Sequence, residues 1–293
     1  CLILLLPSGM SATLVPTDYS TDVKPVNFYS ANGSDVNQEH PEWGQAGTLL
    51  GRVANSSHDP NANWMGLADL PNPRNISNIV CAQPSAILDE RGLSDFNWLW
   101  GQFITHEIDF TLTQNGRVGG TAAPEQANIQ IAEDDPIMGA PGGSQLRFFR
   151  SLYVNMSDEQ GAQTREHPNS ITTWIDGSSV YGSSVETSNW LRTFENGKLK
   201  VSPNPWGDLL PVAQDDDQTA PPMSFVGFSA DVRFIAGDSR ANEHIALMAL
   251  HVLFIREHNR LAEDIAERNP DWSDEDINKK FVIEKLLKRY YRF

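Results

Sequence analysis

Trp100-Gly101-Gln102-Phe103-Ile104-Thr105-His106-Glu107-Ile108-Asp109-Phe110-Thr111 combines an apolar helical stripe with a dense set of polar groups. Ser94 is a candidate N-cap ahead of it, and Phe96, Leu99, Trp100, Phe103 and Phe110 recur at helical spacing, so a first core helix is expected from Ser94 to about Phe110. Gln102 and His106 stand four apart and therefore project from one face, about one turn from each other. A lone histidine in such a place is most simply a core residue satisfied by a local hydrogen bond. Glu107 and Asp109 follow at once, however, and an amide, an imidazole and two carboxylates within two turns exceed what a packing helix needs.

Working outward, a second and longer helix is expected to start near Asp238 or Ser239 and run to about Arg268, with Ile245 to Ile255 apolar nearly all round. Such a helix belongs in the middle of a core. Pro270 punctuates its end, Asp271-Trp272-Ser273 opens a final helix, and Phe281, Ile283, Leu286, Leu287 and Tyr290 keep helical spacing within Lys279 to Phe293 with no stop signal after them. The last element therefore reads as cut in its middle. Residues 13–90 are rich in Pro, Asn, Gly and Ser, which predicts an extended, loop-dominated arm wrapping the core. Residues 113–145 and the run Asp215-Asp216-Asp217 before Pro221-Pro222 read as exposed excursions. No strand-type alternation holds at length and nothing repeats, so the fold class is mainly α, with a loop-rich N-terminal arm.

Composition narrows the function classes. The 293 residues are 40% hydrophobic, enough for a proper core, which excludes gross disorder, collagen and a disulfide scaffold. A formal charge of −16 has the wrong sign for neutralising phosphates, so neither nucleic acid nor an anionic membrane surface is an expected partner. Cys1 precedes Leu2-Ile3-Leu4-Leu5-Leu6 and the small residues Ser8-Gly9-Met10-Ser11-Ala12, so residues 1–12 read as the remnant of a signal peptide, too short to span a bilayer. Asn32, Asn55, Asn75 and Asn155 each open a glycosylation acceptor pattern in polar, turn-rich sequence, which favours a secreted glycoprotein. If Cys1 leaves with the signal, Cys81 stands alone and no disulfide forms.

Two further clusters carry chemistry. In Thr172-Thr173-Trp174-Ile175-Asp176-Gly177-Ser178, oxygen donors fall at alternate positions of an extended loop, as Ca²⁺ prefers, although Ser, Thr and Asp also fill ordinary turns. In Gly237-Asp238-Ser239-Arg240-Ala241-Asn242-Glu243, Arg240 and Glu243 are three apart and could simply form an ion pair.

Taken together these segments resemble the animal-type haem peroxidases, the superfamily that also holds the cyclooxygenases and the fungal fatty-acid dioxygenases. The stretches that carry the resemblance are Trp100 to Thr111, Phe148-Phe149-Arg150-Ser151, Trp174 to Ser183, Phe234 to Arg240 and Arg256-Glu257-His258-Asn259-Arg260-Leu261-Ala262, in the family's order over residues 80–270. The resemblance implies a peroxidase that reduces hydrogen peroxide on haem b and oxidises halides, pseudohalides or small aromatic donors. Residues 13–293 would be the N-terminal portion of a single peroxidase domain. His106 matches the distal histidine, which moves a proton between the peroxide oxygens, a step that needs neutral imidazole and implies an acid limb in the pH profile. Gln102 matches the distal glutamine, and Arg240 the distal arginine, whose charge would stabilise the departing oxygen. Glu107 aligns with the calcium-binding acid beside the histidine, and Thr172, Trp174 through its carbonyl, Asp176 and Ser178 align with the calcium loop, so that Ca²⁺ would clamp the distal helix.

Departures from the family pattern sharpen these expectations. Thr105 stands where many members carry an aspartate esterified to haem and cannot form that ester, whereas Glu243 keeps the second ester position. His244 replaces the haem-bonded methionine of the most oxidising mammalian member, which points to bromide, iodide, thiocyanate or phenols rather than chloride. Glu107 is one methylene longer than the usual aspartate. The seven histidines all lie between His40 and His258, and the family's proximal iron ligand comes well beyond the distal arginine, so no residue of this chain is expected to serve as that ligand. His251 and His258 read as packing or surface residues. Threonine before the distal histidine also occurs in the cyclooxygenase branch, which makes a fatty-acid dioxygenase one rival. A non-catalytic extracellular adhesion glycoprotein on the same fold is the other.

Overall fold

The computed structural model describes residues 30–54, 70–113, 126–157, 163–214, 216–224 and 234–278. The expected signal remnant, Asn55, Asp215 and the terminal helical stretch from Lys279 lie outside these residues. Helix α1 (Pro73–Val80) is followed by α2 (Phe96–Thr105), and two short antiparallel hairpins come next, β1 (Ile129–Ile131) with β2 (Ser144–Leu146) and β3 (Val154–Ser157) with β4 (Gln163–Glu166). Helices α3 (Ser178–Tyr181), α4 (Val185–Leu191), α5 (Ile245–Arg268) and α6 (Asp274–Ile277) complete the described elements. The mainly helical class therefore holds. Strands of three or four residues, one of them exposed along its whole length, are too short for alternation to register in sequence.

The packing of α2 on α5 organises the core. Phe103 is fully buried, stacks on Phe254 with ring centroids 5.2 Å apart and 7° between planes, and meets His251 edge-on at 5.1 Å. Leu99 of α2 and Leu247, Leu250, Ile255, Leu261, Ala262 and Ile265 of α5 extend the same cluster. Ile245 and Leu253 are exposed, so α5 buries one broad side rather than its whole circumference. Both helices are shorter than their apolar patterns predict. Helix α2 begins after Asp95 instead of Ser94, without a side-chain cap, and ends at Thr105. Helix α5 begins seven residues after Asp238, because residues 238–243 form turns and His244 supplies the cap.

The N-terminal region is loop-dominated over residues 30–54, as expected, but contains α1, which the reading of an extended arm missed: Asn72 accepts hydrogen bonds from the main-chain N–H of Arg74 and Asn75, and Pro73 takes the first helical position. Of the acidic run, Asp217 is no simple solvated charge, since it accepts a 2.8 Å bond from the Trp190 indole and caps the turn to Thr219. Ser273 caps α6, in line with the expected start of a final helix. Cys81 is exposed and free.

His258 shows how α5 is tied to the rest of the fold. Its Nε2 lies 2.8 Å from the Gly197 carbonyl, which only accepts, so Nε2 carries the proton and Nδ1 accepts from the Tyr181 hydroxyl at 2.9 Å. The ring is fully buried, and burial pushes its pKa down to about 4. The folded pKa lies below the unfolded value, so the stabilisation by this residue is complete above about pH 6.5 and is lost as pH falls toward 4. Replacing His258 with Leu is expected to destabilise at pH 7 by about 1–3 kcal/mol, since the buried Tyr181 hydroxyl loses its partner and the Gly197 carbonyl keeps only the Asn278 amide. The gap to the wild type should narrow by about 1 kcal/mol per pH unit below pH 6.5. Urea unfolding at several pH values reads this, and a gap independent of pH would exclude a depressed His258 pKa.

Candidate active site

The end of α2 and the start of α5 meet at the polar cluster. The N–H of His106 bonds the Gln102 carbonyl at 3.0 Å, which makes His106 the C-cap of α2 rather than an interior residue and still holds it one turn from Gln102. Beyond it the chain turns sharply, through Glu107 to Ile104 and Ile108 to Thr105. Thr105 spends its hydroxyl on the Gly101 carbonyl of its own helix, at 2.8 Å. Buried Asn169 then fixes the outgoing strand of chain, accepting from the Phe110 N–H and donating to the Ile108 carbonyl. Nothing in the sequence marked Asn169, which sits in an unremarkable Pro168-Asn169-Ser170.

Arg240 does not pair with Glu243, as its spacing allowed. Asp238 holds its guanidinium through Nε at 2.9 Å and Nη2 at 2.7 Å, while the carbonyls of His106 and Asp109 accept from Nη2 and Nη1, and the group lies 4.3 Å over the Phe110 ring. Arg240 thus bolts the turn after α2 to the segment before α5. Asp238 was quoted only as part of the motif, yet it orients Arg240 and also approaches His106, its Oδ1 3.8 Å from the imidazole Nδ1. Gly237 has no room for a Cβ, which would run into the main chain of Ser178, Val180 and Gly182. That close approach brings the Asp238–Arg240 segment against α3.

His106 is 6% exposed, and its Nδ1 is sealed from solvent with no hydrogen-bond partner. Burial and the neighbouring Arg240 charge push its pKa down to about 4, against the opposing pull of Asp238 and Asp109. The imidazole is therefore neutral at physiological pH and free of a fixed partner at one nitrogen. One turn earlier on the same face, Gln102 donates from Nε2 to Glu243 Oε2 at 3.0 Å and meets His244 Nε2 through its Oε1 at 2.9 Å. A buried neutral base one turn from an amide that donates to a carboxylate is a side-chain set that fits a haem site. Gln102, His106, Arg240 and Glu243 gather here. The calcium candidates form an adjoining cluster.

In that cluster Glu107 is fully buried, with Oε2 accepting from the N–H of Gly177 at 2.7 Å and Ser178 at 3.1 Å, and Oε1 from Ser179 at 2.7 Å. Asp176 accepts from the Thr172 hydroxyl at 2.9 Å and the Ser178 N–H at 3.0 Å. Burial raises the pKa of both carboxyls, and the repulsion of Asp176 adds to the rise at Glu107. The Ser178 hydroxyl is buried without a partner. Two buried carboxyls, a threonine hydroxyl and an orphaned serine hydroxyl fit a hard divalent cation. The Trp174 indole donates to the Gly33 carbonyl at 3.1 Å, which fastens the N-terminal arm onto this loop.

The sequence profile of the animal haem peroxidases matches residues 28–280. Peroxinectin A of Dictyostelium discoideum is 28% identical over 282 residues, which cover 90% of this chain and 50% of that protein. Human lactoperoxidase is 33% identical over 277 residues, covering 85% of this chain and 38% of lactoperoxidase. Among solved structures, peroxidase A from Dictyostelium discoideum superposes with a TM-score of 0.76 at 27% identity, over 92% of this chain and 52% of that one. A fatty acid alpha-dioxygenase of Arabidopsis thaliana shares the fold, with a TM-score of 0.64 at 21% identity, over 90% and 35% of the two chains. The chain thus spans about half the length, or less, of the relatives it matches.

Proposed function

The chain belongs to the animal haem peroxidase family, and on that premise we propose that its parent protein reduces hydrogen peroxide on haem b and oxidises halides, pseudohalides or small aromatic donors. The observation that carries this is His106, a buried imidazole kept neutral by burial and the Arg240 charge, with Gln102 one turn away on the same face. Bound haem would supply the iron that takes up the peroxide and the electrons that break its O–O bond. His106 would accept the proton of the bound peroxide and return it to the departing oxygen. Gln102 would orient the bound ligand by a hydrogen bond. Arg240, anchored by Asp238 and two carbonyls, would hold a fixed positive charge beside the turn that carries His106. Glu243 would be the residue able to form an ester to the haem, and Thr105 would form none.

Glu107, Thr172, the Trp174 carbonyl, Asp176 and Ser178 would hold Ca²⁺, joining the residue after His106 to the start of α3. We further propose a secreted glycoprotein. Among the described residues no helix is long and apolar enough to cross a membrane. Of the three acceptors among the described residues, Asn75 and Asn155 are exposed, whereas Asn32 is half-buried and its carboxamide oxygen already accepts from Ser30 and Ser34, so of these three glycans belong on the first two.

The test is the full-length protein expressed through a secretory pathway and loaded with haem. Peroxide-dependent oxidation of iodide, thiocyanate and a phenol is expected, with glycans mapped to Asn75 and Asn155. Oxygenated products from linoleate without peroxidase turnover would favour the dioxygenase reading, and the absence of a Soret band would favour the adhesion protein.

A further inference from the structure

Helix α5 is capped by an uncommon residue. Serine, threonine, asparagine and aspartate are the usual N-caps because a short side-chain oxygen reaches back to the first free N–H groups. Here the Leu247 N–H donates to His244 Nδ1 at 3.2 Å. A main-chain N–H can only donate, so Nδ1 is the acceptor and, in the neutral ring, the proton sits on Nε2. From Nε2 it points at Gln102 Oε1, 2.9 Å away, and the other end of that amide donates to Glu243 Oε2 at 3.0 Å. Reversing the amide would set its NH₂ against the His244 N–H and its oxygen against the Glu243 carboxylate. The sequence of bonds from Leu247 through His244 and Gln102 to Glu243 therefore runs in one direction only. The Trp98 ring, tilted 51° with its centroid 5.6 Å from the imidazole, flanks His244.

We propose that His244 is a positioning residue that fixes the polarity of Gln102, so that this glutamine presents a spare N–H, and never its oxygen, to a ligand bound in the site. A shorter cap would serve Leu247 equally well and could not reach Gln102. The imidazole does both because its two nitrogens face different helices, α5 through Nδ1 and α2 through Nε2. The group that Gln102 would then favour is one with lone pairs to offer: peroxide, a halide or a small anion. This rests on the reading that Gln102 faces the ligand of a bound haem.

The experiment uses the full-length haem-loaded protein and sodium cyanide as probe, with binding to the ferric form followed by the Soret shift. His244→Asn keeps an oxygen to cap Leu247 and loses the link to Gln102. Its melting temperature should match the wild type, while cyanide binds about three- to tenfold more weakly, the size of one hydrogen bond. Gln102→Leu should weaken cyanide at least as much, and adding His244→Asn to it should change nothing further. If Gln102→Leu weakens cyanide and His244→Asn does not, or if the two losses simply multiply in the double variant, the positioning role is wrong. If Gln102→Leu leaves cyanide binding untouched, the underlying reading of the site fails, and the positioning role with it.

Discussion

In the full-length protein, replacing His106 with Ala is expected to slow the reaction with hydrogen peroxide by at least about two orders of magnitude, the lower end of a general-base contribution. Burial and the Arg240 charge hold the imidazole neutral, so at pH 7 nearly the whole population can accept a proton. The stability cost should be modest by comparison. Nδ1 has no hydrogen-bond partner to orphan, and the turn that carries the residue is held by main-chain bonds and by Arg240, which stay in place. A large loss of rate with a nearly unchanged unfolding midpoint separates a proton-transfer role from a packing one. Stopped-flow mixing with peroxide, read as decay of the resting haem spectrum, measures the first quantity, and urea titration measures the second. A rate within about threefold of the wild type would show that another group moves the proton.

The grouping of the candidate site residues was more legible in sequence than the element boundaries were. Gln102 and His106 were legible because a spacing of four puts two polar groups on one side of an otherwise apolar stripe. That relation survives even though His106 is the C-cap. The helix ends at Thr105 because Glu107 is drawn inward to the amides of Gly177, Ser178 and Ser179, a long-range pull to which local periodicity is blind. The start of α5 was placed too early for a similar reason. Asp238 and Arg240 look like an acidic first turn and an ion-pair partner, but Asp238 turns back onto its own neighbour and onto His106. The cap at His244 was hidden because histidine is not a residue one searches for at that position. Asn169 left no trace at all, since its importance comes entirely from being buried against the chain that leaves α2.

Glu107 gives the largest expected effect on stability. Its two carboxylate oxygens satisfy three buried main-chain N–H groups at the start of α3. Glu107→Ala strands the Gly177 and Ser179 donors, while the Ser178 N–H keeps Asp176, and a buried unsatisfied polar group costs about 1–3 kcal/mol. The two are not additive, and the relieved repulsion from Asp176 offsets part of the loss, so a net destabilisation of about 2–4 kcal/mol is expected in urea unfolding. Calcium bears on the same cluster. If Ca²⁺ neutralises Glu107 and Asp176 together, EGTA should lower the melting temperature of the wild type and leave that of Glu107→Ala, already without the shared ligand, unmoved. A wild type indifferent to EGTA would mean that the amides alone hold the carboxylate and that no cation is needed. A Glu107→Ala protein as stable as the wild type would remove the clamp altogether. Because Glu107 follows His106 directly, the loss of its anchor should also loosen the imidazole, so the peroxide reaction is expected to slow in Glu107→Ala even under conditions where the protein remains folded.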